Sequence, residues 1–106
     1  MEKTIEVDGK KILLKSNGAT PLRYKMQFKR DFFKDLLKMK DIEIDISCID
    51  LEMFYNIIWL LAKTADDTIP QPIEWLENFD TFPIIEIIPQ IQDMLAAMLK
   101  TINTKK

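Results

Sequence analysis

Few residues in this chain are of the types that carry out enzymatic chemistry. The sequence contains no histidine and a single cysteine, Cys48. A Ser-His-Asp triad, a Cys-His dyad, a Cys/His zinc site or a disulfide framework therefore cannot be assembled within one copy of the chain. Cys48 lies between Ile46 and Ile49, where a thiol is usually a small buried hydrophobe. We expect no catalytic residue and predict that the protein is not an enzyme.

The remaining candidates for chemistry are carboxylates in the second half of the chain. They are Asp66, Asp67, Glu74, Glu77 and Asp80. Carboxylate oxygens suit Mg²⁺ or Ca²⁺, but this spacing lacks the alternation and the loop glycine of a calcium loop. Acidic residues near helix ends are common on solvated surfaces. The pattern therefore favours an acidic surface, with no metal and no cofactor.

Charge is distributed unevenly along the 106 residues. Residues 1–40 contain 11 Lys or Arg and 5 Asp or Glu, whereas residues 41–99 contain 12 acidic residues and one basic residue, Lys63. The net charge of −2 conceals this asymmetry. Such a dipole could attract an acidic partner, stack copies head to tail, or consist of two faces that neutralise each other within one fold.

Basic residues interleaved with aromatic ones, as in residues 21–40, are also typical of nucleic-acid-binding surfaces. However, Phe28, Phe32 and Phe33 fall on the predicted inward side of a helix, and base stacking needs exposed rings. An acidic chain also repels phosphate. Nucleic-acid binding is therefore kept only as an alternative, and a membrane partner is not expected.

The elements that would position these residues begin with a β-hairpin. Asp8-Gly9 separates two alternating apolar runs, and both residues accept a positive φ. With these two residues as the loop, Val7 pairs with Lys10. One face of the hairpin then carries Ile5, Val7, Ile12 and Leu14. This face must pack on helices or on a third strand, for which the alternating residues 41–48 are a candidate.

Helical periodicity accounts for much of the rest. Thr20 followed by Pro21 predicts an N-cap and the first residue of a basic amphipathic helix over 21–40, which can break near Arg30 and Asp31. Its predicted inward stripe consists of Leu22, Met26, Phe33 and Leu37, widened by Phe28, Phe32 and Leu36.

Three further helices are predicted. Residues 51–65 are apolar nearly all round and should form the central, most buried helix. A short helix is predicted over 73–79, and a last one over 89–103. The fold class is therefore α+β and predominantly α-helical, with the N-terminal hairpin packed on four to five helices in a single domain spanning 1–106. No apolar run approaches the roughly 20 residues that cross a bilayer, and no signal peptide is visible, so we expect a cytoplasmic protein.

Four motifs in fixed order cover most of residues 3–103. They are Ile5-x-Val7-Asp8-Gly9-Lys10, Pro21-Leu22-Arg23-Tyr24-Lys25-x-x-Phe28-x-Arg30-Asp31, Trp59-x-x-x-Lys63-x-x-Asp66, and Ile73-Glu74-Trp75-Leu76-x-x-Phe79. Together with the apolar helix that follows, they resemble the small tail assembly chaperones of long, flexible-tailed phages and prophages of Gram-positive bacteria.

The resemblance implies a non-enzymatic assembly factor with no catalytic residues. Such chaperones bind the tape measure protein, a very long, helical and poorly soluble chain, and help recruit tail tube subunits. In many relatives a longer, frameshifted form contacts the tail tube protein. The resemblance also implies residence in the cytoplasm of the bacterial host and absence from the mature virion. A structural tail or connector component of the same phage module, or a small nucleic-acid-binding regulator, are the alternatives.

The apolar content suggests where a partner would bind. Several predicted helices are almost too apolar for a chain of this length to bury, and flexible methionines suit surfaces that accept varied apolar partners. The residues predicted to contact the client, or a second copy of the chain, are Trp75, Phe79, Phe82, Met94 and Met98.

Overall fold

The structure, a computed structural model, describes residues 1–41 and 51–103. Two strands are followed by five helices in this part of the chain, namely β1 (Glu2–Val7), β2 (Lys10–Lys15), α1 (Thr20–Phe28), α2 (Phe32–Asp41), α3 (Leu51–Ala65), α4 (Pro72–Leu76) and α5 (Ile84–Asn103). This confirms the predicted α+β class with helix predominant. The proposed third strand over 41–48, apart from Asp41, and Cys48 lie outside the described residues. No described helix is long and apolar enough to cross a membrane.

The hairpin has the predicted register. β1 and β2 are antiparallel, with Val7 opposite Lys10, and Asp8 and Gly9 in the loop have φ of 54° and 75°. The predicted apolar face is also confirmed, since Ile5, Val7 and Leu14 are buried and Ile12 packs against the core. β1 lies against α5 and β2 against α3, so the helices supply the cover that an isolated hairpin needs.

The basic segment forms two helices because the first helix ends at Lys29. This residue adopts the left-handed conformation, with φ 61°, and ends α1. Asp31 Oδ1 then accepts hydrogen bonds from the N–H groups of Phe33 and Lys34 at 3.0 and 3.2 Å, which caps α2. The break predicted near Arg30 and Asp31 is therefore confirmed.

The predicted inward stripe of this segment is confirmed at Phe28, Phe32 and Leu36 and wrong at its other four residues, and the predicted N-cap is wrong. The side facing the core carries Tyr24, Phe28, Phe32 and Leu36 at four-residue spacing, whereas Leu22, Met26, Phe33 and Leu37 are exposed. Helix α1 begins one residue early, with Ala19 as N-cap, so Thr20 lies within the helix. The Thr20 hydroxyl accepts a hydrogen bond from the Asn17 N–H at 2.9 Å instead of capping.

Helix α3 lies at the centre of the core, as predicted, and its residues 57–62 are all buried. The predicted bounds of the last two helices differ from those observed. Helix α4 ends at Leu76 rather than Phe79, and α5 begins at Ile84 with Pro89 inside it. The proline removes a hydrogen bond to the carbonyl of Ile85, but Ile85 is on an exposed turn where water can replace the missing donor.

Candidate functional site

The five residues predicted to bind a partner lie in the core or against it. Trp75, Met94 and Met98 are buried, and Phe79 and Phe82 are half-buried. The Trp75 ring centroid lies 5.3 Å from that of Phe79 and 5.9 Å from that of Phe82, both edge to face. These rings pack α4 and the segment after it into the fold. A contact between these five side chains and a client stays a prediction.

The aromatic cluster continues onto α3. The Phe82 ring centroid lies 6.2 Å from that of Phe54 and 5.6 Å from that of Tyr55. Phe54 is fully buried, so Phe82 connects the segment before α5 to the central helix. Aromatic pairs of this geometry add stability beyond the area that they bury. The cluster therefore holds the fold together around α3.

The large exposed apolar side chains on α1 and α2 are residues that the sequence predicts to lie in the core. Leu22 and Met26 are 63% and 66% exposed and lie one turn apart, and Phe33 and Leu37, also one turn apart, are 38% and 54% exposed. Exposed cations accompany them. We call the basic apolar surface the set Leu22, Met26, Phe33, Leu37, Arg23, Lys25, Lys29, Lys34 and Lys38. The signal that would have found it is the four-residue spacing of Tyr24, Phe28, Phe32 and Leu36, which marks the side facing the core.

A network of buried polar groups fixes the break between α1 and α2. Tyr24 Oη donates to Asp35 Oδ2 at 2.6 Å. Arg30 Nε donates to the same oxygen at 2.6 Å and its Nη2 donates to Asp35 Oδ1 at 3.1 Å. Burial alone raises the pKa of Asp35, but the hydrogen bonds from Arg30 and Tyr24 outweigh it and hold that pKa below its ordinary value. Burial, followed by the bond to Asp35, raises the pKa of the Tyr24 hydroxyl.

The acidic residues of the second half lie on the surface. Asp66, Asp67, Glu74, Glu77, Asp80 and Glu86 are all exposed. The hydroxyl and the N–H of Thr68 both donate to Asp66 Oδ1, and these bonds lower the pKa of Asp66. Within residues 1–41 and 51–103, no group of three or more His, Cys, Asp or Glu is placed to hold a metal ion. We call Glu74, Glu77, Asp80 and Glu86 the acidic surface.

A cleft of about 530 Å³ lies between β2 and the C-terminal end of α3. Its lining residues are Lys10, Lys11, Ile12, Leu13, Ala62, Ala65, Asp66, Ile69, Trp75 and Phe79. The Lys10 ammonium lies 5.0 Å from the centroid of the Phe79 ring, a cation–π contact, and donates to the carbonyl of Asn78. The lining therefore combines apolar side chains with two lysines and one carboxylate, Asp66, which accepts two hydrogen bonds from Thr68.

Several polar residues of the four sequence motifs hold loops in place. Lys63 Nζ donates to the carbonyls of Asp67 and Ile69 at 2.7 and 2.8 Å, and Trp59 Nε1 donates to the carbonyl of Pro70 at 2.9 Å. These bonds fasten the connection between α3 and α4. Asp8 Oδ2 accepts the Asp80 N–H at 3.0 Å and so fastens the hairpin loop to the segment after α4. These polar motif residues therefore fasten the loops of the fold to its helices and strands.

These features define a small α+β domain with an exposed basic apolar surface, an acidic surface and an apolar cleft beside a strand. Comparisons with models of protein families, with curated proteins and with solved structures find no match.

Proposed function

We propose that this protein is a non-enzymatic tail assembly chaperone of a phage or prophage. In this role it binds and solubilises the tape measure protein and assists polymerisation of the tail tube. The basic apolar surface carries the proposal, because α1 and α2 expose four large apolar side chains in the folded chain. The four ordered motifs support the phage setting.

The spacing of the exposed residues suits a helical client. Leu22 and Met26 on α1, and Phe33 and Leu37 on α2, each form an apolar pair one turn apart. An amphipathic helix presents its own apolar residues at the same spacing, so such pairs can pack against it. The surrounding cations stay in water, keep the unbound protein soluble and favour client segments with acidic flanks. A poorly soluble, largely helical chain is a client of this type.

The aromatic and methionine residues predicted to bind the client lie outside the basic apolar surface and are buried or half-buried. Trp75, Met94 and Met98 would have to leave the core to reach a partner, at the cost of their packing there. Phe79 and Phe82 are half-buried and can contribute at the edge of a contact while they stay packed. We therefore place the main client contact on α1 and α2.

Further partners belong to the same proposal. A longer, frameshifted form would contact the tail tube protein, and the site of action would be the cytoplasm of the bacterial host, with no chaperone left in the mature virion.

Self-association is supported by the opposite charges of the basic apolar surface and the acidic surface. Copies that associate through these surfaces should dissociate as salt rises, which size-exclusion chromatography at low and high ionic strength measures.

The direct test is co-expression with the tape measure protein encoded by the same phage. We expect the client to become soluble and to co-purify with the chaperone. The double variant Leu22→Ser/Met26→Ser should lose the client while its thermal unfolding stays unchanged, because both side chains are already in water. The matched control is Ile85→Ser, which removes an equally exposed apolar side chain, 70% accessible, outside this surface.

Several outcomes would contradict the proposal. A client that stays insoluble, or that is soluble without binding, would remove the chaperone role, and retention by the Leu22→Ser/Met26→Ser variant would remove the assigned surface. A structural tail or connector component would remain in purified particles. A nucleic-acid-binding regulator would be retained on DNA or RNA with a steep dependence on salt.

A further inference from the structure

We propose that the open edge of β2 binds an extended, acidic segment of a partner protein as an added β-strand. This surface is separate from the basic apolar surface, and the proposal does not depend on the chaperone role. Three features of β2 support it: the free backbone groups of the strand, the cleft beside them and the charges around them.

The hairpin register shows which backbone groups point outward. Met1 and Ser16 form a hydrogen-bonded pair, with the Ser16 N–H donating to the Met1 carbonyl at 2.9 Å and the Met1 ammonium to the Ser16 carbonyl at 3.2 Å. Hydrogen-bonded and non-hydrogen-bonded pairs alternate along an antiparallel ladder. Counting along β2 from Ser16, the N–H and C=O groups of Lys11, Leu13 and Lys15 therefore point away from β1.

The two edges of the hairpin differ in how they are covered. On β1, the outward N–H of Glu6 donates to Gln90 Oε1 at 2.8 Å, and Gln90 Nε2 donates to the Glu6 carbonyl at 3.0 Å. The side-chain amide of Gln90 thus pairs with β1 as a neighbouring strand would. On β2, the outward backbone groups of Lys11, Leu13 and Lys15 have no hydrogen-bond partner within residues 1–41 and 51–103.

The cleft lies along this free edge. Lys11, Ile12 and Leu13 of β2 form one wall, and Trp75 and Phe79 contribute to its apolar lining. In a strand added to the edge, alternate side chains would enter the cleft on the side of Ile12. The others would lie on the outer face, beside Lys11 and Lys15. The backbone of such a partner gains hydrogen bonds and its inward side chains gain an apolar pocket, which is the usual mode of strand addition.

The charges select the partner. Lys11 is exposed, Lys15 is half-exposed, and β2 itself contains no acidic residue. Glu6 and Glu2 lie opposite these lysines on β1, but neither forms an ion pair with them in the part of the chain that the structure describes. Asp66, the one carboxylate in the lining, accepts two hydrogen bonds from Thr68. An acidic residue placed opposite Lys11 or Lys15 forms a favourable cross-strand pair, whereas a lysine there is repelled. The edge therefore fits a segment in which acidic and apolar residues alternate.

The experiment uses the whole chain and a fluorescein-labelled, eight-residue peptide of alternating Glu and Ile. We expect saturable binding by fluorescence anisotropy that weakens as salt rises, and no binding of the same peptide with Lys in place of Glu. In hydrogen exchange followed by NMR, the peptide should slow the amides of Lys11, Leu13 and Lys15. The Ile12 amide, already bonded to β1, should not change.

Two proline variants test the edge directly. Leu13→Pro removes an outward N–H from β2 without removing a bond to β1, and we expect the affinity to fall at least about tenfold through the lost hydrogen bond and local disruption. Thr4→Pro removes the corresponding outward N–H from the β1 edge, so it is the matched control and should bind like the unchanged protein. If Leu13→Pro perturbs the fold by circular dichroism, N-methylation of alternate peptide amides replaces it, since it removes donors without altering the protein.

The proposal is overturned if the acidic peptide does not bind, or if binding is the same for Leu13→Pro and Thr4→Pro and unaffected by N-methylation. In that case the lysines of β2 serve to keep the open edge from pairing with other chains, a common role for lysine on edge strands.

Discussion

Replacement of Asp35 by alanine should destabilise the protein strongly, because this carboxylate is buried at the centre of a hydrogen-bond network. Asp35 is buried between α1 and α2 and accepts hydrogen bonds from Tyr24 and Arg30. Without the carboxylate, the fully buried Tyr24 hydroxyl has lost the acceptor of its 2.6 Å bond. The guanidinium of Arg30 has lost both of its bonds to the same side chain, in a site only partly open to water.

The magnitude follows from the exposure of each group. An unsatisfied buried hydroxyl costs about 1–3 kcal/mol. The Arg30 side chain is 26% exposed, so water partly replaces its lost partner. The destabilisation from leaving Arg30 unpaired is therefore well below the roughly 3–5 kcal/mol lost when a fully buried ion pair is broken. We therefore expect Asp35→Ala to lower the free energy of unfolding by about 3 kcal/mol, a large fraction of the roughly 5–15 kcal/mol typical of a domain.

Urea unfolding followed by the fluorescence of Trp59 and Trp75 measures this change. Tyr24→Phe is the comparison, because it removes the hydroxyl but leaves the Asp35–Arg30 pair, and it should cost about 1 kcal/mol. The double variant Tyr24→Phe/Asp35→Ala should cost less than the two single changes added together. In the double variant no hydroxyl is left without an acceptor.

Acid should remove the contribution that Asp35 makes to the free energy of unfolding. The pKa of Asp35 is held below its ordinary value in the folded protein, so its contribution to stability is fully present above the unfolded pKa of about 3.9. The contribution is lost as pH falls from there through the folded value. The stability difference between the unchanged protein and Asp35→Asn should therefore shrink below about pH 4. A loss under 1 kcal/mol for Asp35→Ala at pH 7, or a difference independent of acid, would refute this reasoning.

Two further changes test the aromatic cluster and the closed edge of the hairpin. Trp75→Ala should lower the free energy of unfolding by about 3–5 kcal/mol, because it empties a buried site against Phe79 and Phe82; a variant that stays stable in urea but releases its client would instead support a direct binding role. Gln90→Ala should cost about 1 kcal/mol and speed hydrogen exchange at the Glu6 amide, since it removes both bonds that cover the β1 edge. Unchanged exchange at Glu6 would contradict the second expectation.

Local patterns were sufficient for several elements. The turn residues Asp8 and Gly9 predicted the hairpin, its register and its buried face, since a two-residue loop and a period of two leave no other arrangement. The apolar residues of 51–65 predicted α3 with its observed bounds. In both cases a strong short-range signal and tertiary packing favour the same structure.

Other features depend on contacts between residues far apart in sequence. Periodicity predicts that Leu22 and Met26 face the core, but both are exposed because tertiary packing buries the side of α1 that carries Tyr24. The polar network of Tyr24 and Asp35 then decides which side of each helix faces the core. Helix α5 includes Pro89 because the affected carbonyl is exposed to water, a circumstance that proline alone does not reveal.

The α+β class, the hairpin and the central helix are predictable from the sequence, because the signals for these elements are local periodicities and turn residues. Which surfaces stay exposed depends on tertiary packing. The β1 edge is covered by Gln90, 84 residues away from Glu6 in the chain, whereas the β2 edge, beside a cleft built from three separate segments, has no hydrogen-bonded partner among residues 1–41 and 51–103. Periodicity specifies which side of an element is apolar, but packing between distant segments determines whether that side meets the core or a partner.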